Sequence, residues 1–146
     1  RTSSKEIRYA VVSWDGKTAV LLNEKDETRL KFPATMGDIA DKISWVEAEF
    51  ERIIQNNPDL NKVVIKEREY SRFGETKASR EGGFFVSIAM LVSQKNQISV
   101  ELKLYPAIGT KSKEVKDFSA EHVGVSSKYW NESMADAVAA AYSGRE

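Results

Sequence analysis

The stretch YAVVSWDGKTAVLL (9–22) constrains the fold most, because two apolar runs meet at Asp15-Gly16 with almost nothing between them. Asp-Gly between alternating apolar residues is the strongest short-range hairpin signal, since a type I′ turn needs positive φ at both central residues. Strands are therefore expected over 7–14 and 17–22. ETRLKF (27–32) alternates Arg29 and Lys31 with Leu30 and Phe32, and reads as a third strand stopped by Pro33. Together these predict an antiparallel three-strand meander.

The period then changes. Ile39, Ile43, Val46, Phe50 and Ile53 recur at helical spacing, with Thr35 and Asp38 resembling a capping box ahead of them and NNP ending the run. KVVIKE (62–67) is a short, nearly continuous apolar run, as in a strand covered on both faces. REGGFFVSIAMLVSQK (80–95) predicts a helix in which Gly82 and Gly83 allow close packing on a sheet. QISVELKLY (97–105) is a further strand, closed by Pro106. Helices are expected from about Ser112 and over Ser127–Ala141, the latter slimmed by Ala135, Ala137, Ala139, Ala140 and Ala141. The order β-β-β-α-β-α-β-α-α gives an α/β fold: a mixed five-stranded sheet, meander plus parallel strands, with helices on both faces. Ligands in such sheets sit beyond the carboxyl ends of the parallel strands.

With 146 residues, 41% hydrophobic and 30% charged, this is one globular domain over 7–142, with a fraying polar segment at 1–6 and a tail at 143–146. No apolar run reaches the roughly 20 residues of a membrane span. The absence of Cys excludes disulfides, thiolate metal sites and a Cys nucleophile, and fits a cytoplasmic location. Formal net charge is zero, so overall charge does not point to nucleic acid. Its distribution is more informative. KEREYSRFGETKASR (66–80) carries Lys66, Arg68, Arg72, Lys77 and Arg80, and KLYPAIGTKSKEVK (103–116) carries Lys111 and Lys113. Such loops suit phosphate contacts or are simply solvated.

This element order resembles the RNase H-like fold, and several segments resemble the RuvC-type Holliday-junction resolvases more narrowly. VVIKERE stands where that family has a strand bearing a catalytic Glu. ETKASREGGFFVSIAMLV resembles its next helix, ELKLYPAIGTKSKEV its last strand with a tyrosine-proline exit, and ADAVAAAY its terminal acidic helix. The hairpin and VVIKER also resemble an uncharacterised bacterial family with the same fold. The resemblance implies a two-metal nuclease site in which Asp15, Glu67, Glu132 and Asp136 hold Mg²⁺ or Mn²⁺ about 3.5–4 Å apart. Such ions need only hard oxygen ligands, so the lone His122 is no objection. The family spaces its helical pair three apart, where this chain has Ser133.

Two positions stay open. Aligned without a shift, the strand acid becomes Lys66; with a one-residue shift it is Glu67, and the two lie on opposite faces. Registered by apolar residues, the first-strand acid falls at Ser13, with Asp15 two further on in the turn. The reading that follows is a nucleic-acid-related RuvC-like domain with a degenerate or unusual acidic site, binding DNA, RNA or a partner protein. The alternatives are an active Mg- or Mn-dependent endonuclease, dimeric if it cuts symmetric junctions, and a non-catalytic assembly subunit.

Overall fold

The computed structural model describes residues 1–145. The first expected strand is broken into β1 (Glu6–Arg8) and β2 (Val12–Asp15), and β2 pairs antiparallel with β3 (Thr18–Leu21) in the register Asp15↔Thr18 and Val12↔Leu21. The corner therefore consists of Gly16 and Lys17, one residue later than the sequence reading. Gly16 alone has positive φ (61°), the pattern of a type II′ turn rather than I′. Asp15 is the last residue of the strand.

β4 (Arg29–Lys31) pairs with β1, as Ile7↔Leu30 and Arg8↔Arg29, and not with β3. The expected meander is instead one long hairpin whose return arm makes an excursion at 23–27. The Leu22 N–H donates to the Val11 carbonyl and the Tyr9 N–H to that of Thr28. Between them the buried Asn23 carboxamide takes the ladder's place. It accepts from the Val11 N–H at 2.9 Å and donates to the carbonyls of Tyr9 and Glu27 at 3.2 and 2.9 Å. A buried amide that satisfies three main-chain groups fixes where the arm leaves and rejoins.

β5 (Lys62–Lys66) and β6 (Ser99–Lys103) are parallel neighbours in the register Ile65↔Leu102, joined by α2 (Lys77–Lys95) as a βαβ unit. Among the described residues the first arm of the hairpin shares no ladder with β5, so three two-stranded ladders stand where a five-stranded sheet was expected. α1 (Ile39–Gln55) packs Ile39, Ile43, Val46, Phe50 and Ile53 against Ile7, Leu30, Phe32 and Phe85. Its cap is Asp38, whose carboxylate accepts from the Ala40 N–H at 2.7 Å; Thr35 has no part in it. α2 opens with a true capping box, Thr76 with Ser79.

Read as fraying, the opening hexapeptide is folded back instead. Thr2 bridges to Ile7, the Arg8 N–H donates to the Arg1 carbonyl, and the Thr2 hydroxyl donates to the Gly82 carbonyl at 2.9 Å. A Cβ on Gly82 would lie 3.6 Å from Ser3 Cα, so this glycine admits the N-terminal segment, not a sheet; Gly83 faces open space.

A short helix absent from the sequence reading, α3 (Tyr105–Ile108), turns the chain out of β6 and ends at Gly109, φ 93°. α4 (Val115–His122) begins after Ser112, and α5 (Glu132–Ser143) begins five residues later than expected because Asn131 caps it, accepting from the Met134 N–H. Its alanines let α5 be buried on two sides. Ala135, Ala139 and Ala140 meet Tyr105, Ile108 and Val115, while Met134 and Val138 meet Leu21. Ser143 belongs to this helix, and Glu146, the end of the expected tail, lies outside the described residues. No helix among them is long and apolar enough to cross a membrane.

A cation-filled acidic site and a candidate nucleic-acid interface

Strand parity builds the site. Val64 packs with the α5 cluster, so Lys66, two residues on, faces the same helix. Lys66 is 2% exposed. Its ammonium donates to the Glu67 carbonyl and to Glu69 Oε1 at 3.0 Å, and lies 3.9 Å from the centre of the Tyr105 ring. α3 holds Tyr105 between strand end and helix. The Tyr105 hydroxyl donates to Asp136 Oδ1 at 2.7 Å, and its main-chain N–H donates to Glu69 Oε1 at 2.7 Å. Arg1 Nε donates to Asp136 Oδ2 at 3.1 Å. Glu132, one turn before Asp136, accepts from the Ser112 hydroxyl at 2.9 Å and sits 3.4 Å from the Tyr105 hydroxyl.

The two best-held carboxylates respond oppositely to this setting. Burial pushes the Asp136 carboxyl above its ordinary value, and Tyr105, Arg1 and Lys66 offset only part of that. Burial also raises Glu69, but the Tyr105 N–H and the Lys66 ammonium outweigh it and hold Glu69 below the usual range. Glu69 therefore contributes stability above the unfolded carboxyl value of about 4.3, lost as pH falls through its lower folded value. Asp136 contributes with the opposite sign, lost as pH rises through its raised value. Glu69→Gln is expected to flatten the fall in melting temperature between about pH 5 and pH 3. An unchanged acid limb in that variant would show that the Glu69 bonds carry no stability.

The structure brings Asp136 and Glu132 together around Tyr105 but not the other two expected ligands. The Glu67 N–H continues the β5–β6 ladder by donating to the Lys103 carbonyl at 2.9 Å, which turns its side chain to the face opposite Lys66. Asp15 is exposed at the hairpin tip, and Ser13 lies on the face opposite Val12, which packs toward α5. His122 stacks on Phe118 at 4.3 Å and its Nδ1–H donates to the Phe118 carbonyl at 2.8 Å, a packing role. Sequence reasoning missed Arg1, Glu69 and Ser112, and took Tyr105 only as a strand exit.

A divalent ion takes several hard oxygen ligands with free lone pairs, and a cation held among those oxygens competes with it for them. Here both Asp136 oxygens are engaged and two cations, Arg1 and Lys66, stand in the site. Among the described residues no three His, Cys, Asp or Glu side chains are grouped to hold a metal. The donor set does not fit Mg²⁺ or Mn²⁺.

Around the same strand ends lies a different surface. The loop after β5 exposes Arg68, Tyr70, Arg72 and Phe73, with Tyr70 86% and Phe73 83% accessible. The Arg72 guanidinium lies 5.1 Å from the Phe73 ring, Gly74 (φ 81°) turns the loop, and Lys77 follows at the start of α2. The segment after β6 adds the exposed Lys111 and Lys113, Lys111 paired only loosely with Glu114 at 3.9 Å. The Glu69–Tyr105 bond ties the two loops to each other. Lys66 itself is buried, and so stands beneath this surface rather than on it.

An α/β chain with this order of hairpin, βαβ unit and terminal alanine helix has a fold of the RNase H-like, RuvC type. Two solved structures of RuvC from Thermus thermophilus define the likeness. One, in complex with a Holliday junction substrate, superposes with a TM-score of 0.75 at 15% identity, covering 97% of this chain and 87% of that one. The other, RuvC alone, gives 0.77 at 15% identity, covering 97% and 88%. No family model and no curated protein matches the sequence.

Proposed function

We propose that this chain is a RuvC-like domain that binds structured nucleic acid without cutting it. The reading is carried by one arrangement: at the ends of β5 and β6 a cation-filled acidic site lies beneath exposed loops of arginine and aromatic residues. Guanidinium groups neutralise phosphates, and aromatic faces stack on bases whose own stacking is interrupted, as at the branch point of a junction and not along a plain duplex. Arg68, Arg72, Lys77, Lys111 and Lys113 are the phosphate contacts. Tyr70 and Phe73 are the stacking surfaces. Lys66 holds the site together electrostatically in the place a metal would take, so binding needs no divalent ion.

Fluorescence anisotropy with a four-way DNA junction, a duplex of equal length and an RNA–DNA hybrid tests this. Tighter binding of the junction is expected, unchanged by EDTA and weakening steeply with salt. A four-way junction is two-fold symmetric, so two protomers per junction are expected by sedimentation. Cleavage with Mg²⁺ or Mn²⁺ that Asp136→Asn abolishes would replace this reading with an endonuclease using Asp136, Glu132, Glu67 and Asp15. Absence of binding to any substrate would leave an assembly subunit.

A further inference from the structure

The face of the β1–β4 ladder opposite Ile7 and Leu30 carries a second basic surface, built around Tyr129. Arg8 and Arg29 are direct cross-strand partners there. The Tyr129 ring lies over both guanidinium groups, 4.1 Å from that of Arg29 and 5.1 Å from that of Arg8. Glu6 holds the Arg8 and Arg29 cations at 3.1 and 3.5 Å, so they brace the ring and are not free charges. To place the ring there, Tyr129 adopts φ 58°, left-handed backbone that is strained for a bulky side chain. Its turn is pinned: the Ser126 hydroxyl donates to the Lys128 carbonyl and the Ser127 N–H to the Glu24 carbonyl, each at 2.9 Å. A ring held in strained backbone only to fill space would be covered. Tyr129 is 52% accessible.

Beside the ring is a hollow of about 380 Å³, between residues 25–31 and the Lys128–Tyr129 turn. That is the low end of small-ligand pockets, which suits one nucleotide and not the face of a duplex. Lys25, Lys31 and Lys128 line it, are exposed, and form no ion pair among the described residues. Of the two lining carboxylates, Glu27 is taken by the Tyr9 hydroxyl at 2.6 Å and by Arg52 at 2.7 Å. Asp26 is left alone against three lysines. Free ammonium groups around a half-open aromatic ring suit phosphates with a base between them. An acidic peptide would engage the lysines and leave the ring without a role. The turn also leads directly into α5 at its Asn131 cap, and Glu132 there is bonded to Ser112, between Lys111 and Lys113.

We propose that this hollow takes one nucleotide of a single-stranded nucleic-acid segment, its base stacked on Tyr129 and its flanking phosphates on Lys25, Lys31 and Lys128. The site is separate from the loop that carries Tyr70 and Phe73, and it does not depend on junction binding there.

The test uses the full chain and a fluorescent twelve-nucleotide oligo(dT), with thymidine monophosphate and a poly-Glu peptide of equal length as competitors. Tyr129→Gly, which suits the left-handed backbone and keeps the fold by circular dichroism, is expected to weaken oligonucleotide binding about fivefold or more. Lys31→Gln with Lys128→Gln, both at exposed positions, is expected to lower the salt slope by about 1.4. An oligonucleotide carrying 5-iodouracil is expected to crosslink to Tyr129, and still to do so in the Tyr70→Ala, Phe73→Ala variant. Several results would overturn the proposal: no oligonucleotide binding; native affinity in Tyr129→Gly; or crosslinks confined to the 68–73 loop. Thymidine monophosphate binding as tightly as the strand would make a free nucleotide the ligand, and poly-Glu binding as tightly would make it an acidic protein; either also overturns it. Junction binding without oligonucleotide binding would remove this site and leave the proposed function standing, whereas binding through Tyr129 with no preference for the junction would do the reverse.

Discussion

Lys66→Glu is expected to lower stability at neutral pH by about 3–5 kcal/mol, and millimolar Mn²⁺ to restore much of it. For a domain of this size that is a fall of about 10 °C in melting temperature. The substitution removes the cation that Glu69, the Glu67 carbonyl and the Tyr105 ring share, and puts a carboxylate in a 2% exposed position beside them. Like charges at close range raise each other's pKa, so the variant becomes more stable as pH falls, opposite in sign to Glu69 in the native chain. Together with Glu69, Glu132 and Asp136 it also creates a hard-oxygen set that the native chain lacks. Lys66→Met separates charge from volume: it keeps the packing, leaves Glu69 access to water, and should show no response to Mn²⁺. Thermal melts of both variants with and without Mn²⁺ decide the matter. A Lys66→Glu protein as stable as the native one and indifferent to metal would sink the idea that a cation stands in for a metal here.

Why the sequence leaves this site undecided can be traced to particular residues. VVIKE is apolar at Val63, Val64 and Ile65, so both faces of β5 look buried and no alternation says whether Lys66 or Glu67 turns toward α5. Parity is fixed in the fold, where Val64 packs on the α5 cluster and Lys66, two residues on, is buried on the same face. The partnership of Arg1 with Asp136 spans 135 positions, and no periodicity can express it. Glu69 falls in a charged loop and is solvent-exposed like its neighbours Arg68 and Tyr70, so nothing in the sequence sets it apart. By contrast, the α1 stripe, the βαβ unit and the alanine helix were legible, because each rests on a periodicity that burial imposes over many residues. The hairpin was legible to within one residue. Asp-Gly was read as the corner, yet the strand keeps Asp15 paired with Thr18 and spends the glycine at the first turn position. The meander failed on Asn23. A single carboxamide doing the work of a ladder rung has no signature in apolar alternation.

Removing both loop aromatics, Tyr70→Ala with Phe73→Ala, is expected to weaken junction binding by about 2–6 kcal/mol if each ring stacks on a base worth about 1–3 kcal/mol. That is at least about a thirtyfold loss of affinity. The rings are 86% and 83% accessible, so little packing is lost and the melting temperature should stay within about a degree or two of the native value. Plain duplex, whose bases are already stacked, should bind almost as before, and the preference for the junction should shrink accordingly. Arg68→Ala and Arg72→Ala act differently. They remove phosphate contacts, so they should weaken junction and duplex alike and reduce the salt slope by about one each. Arg72 has a second role because its guanidinium lies against the Phe73 ring, and its loss should cost somewhat more on the junction than that of Arg68. Salt titrations on both substrates therefore separate stacking from charge: selective loss of junction affinity assigns the rings to bases unstacked at the branch point, and uniform loss assigns the loop to the backbone alone. A double aromatic variant that binds the junction as tightly as the native chain would remove the loop from the interface altogether.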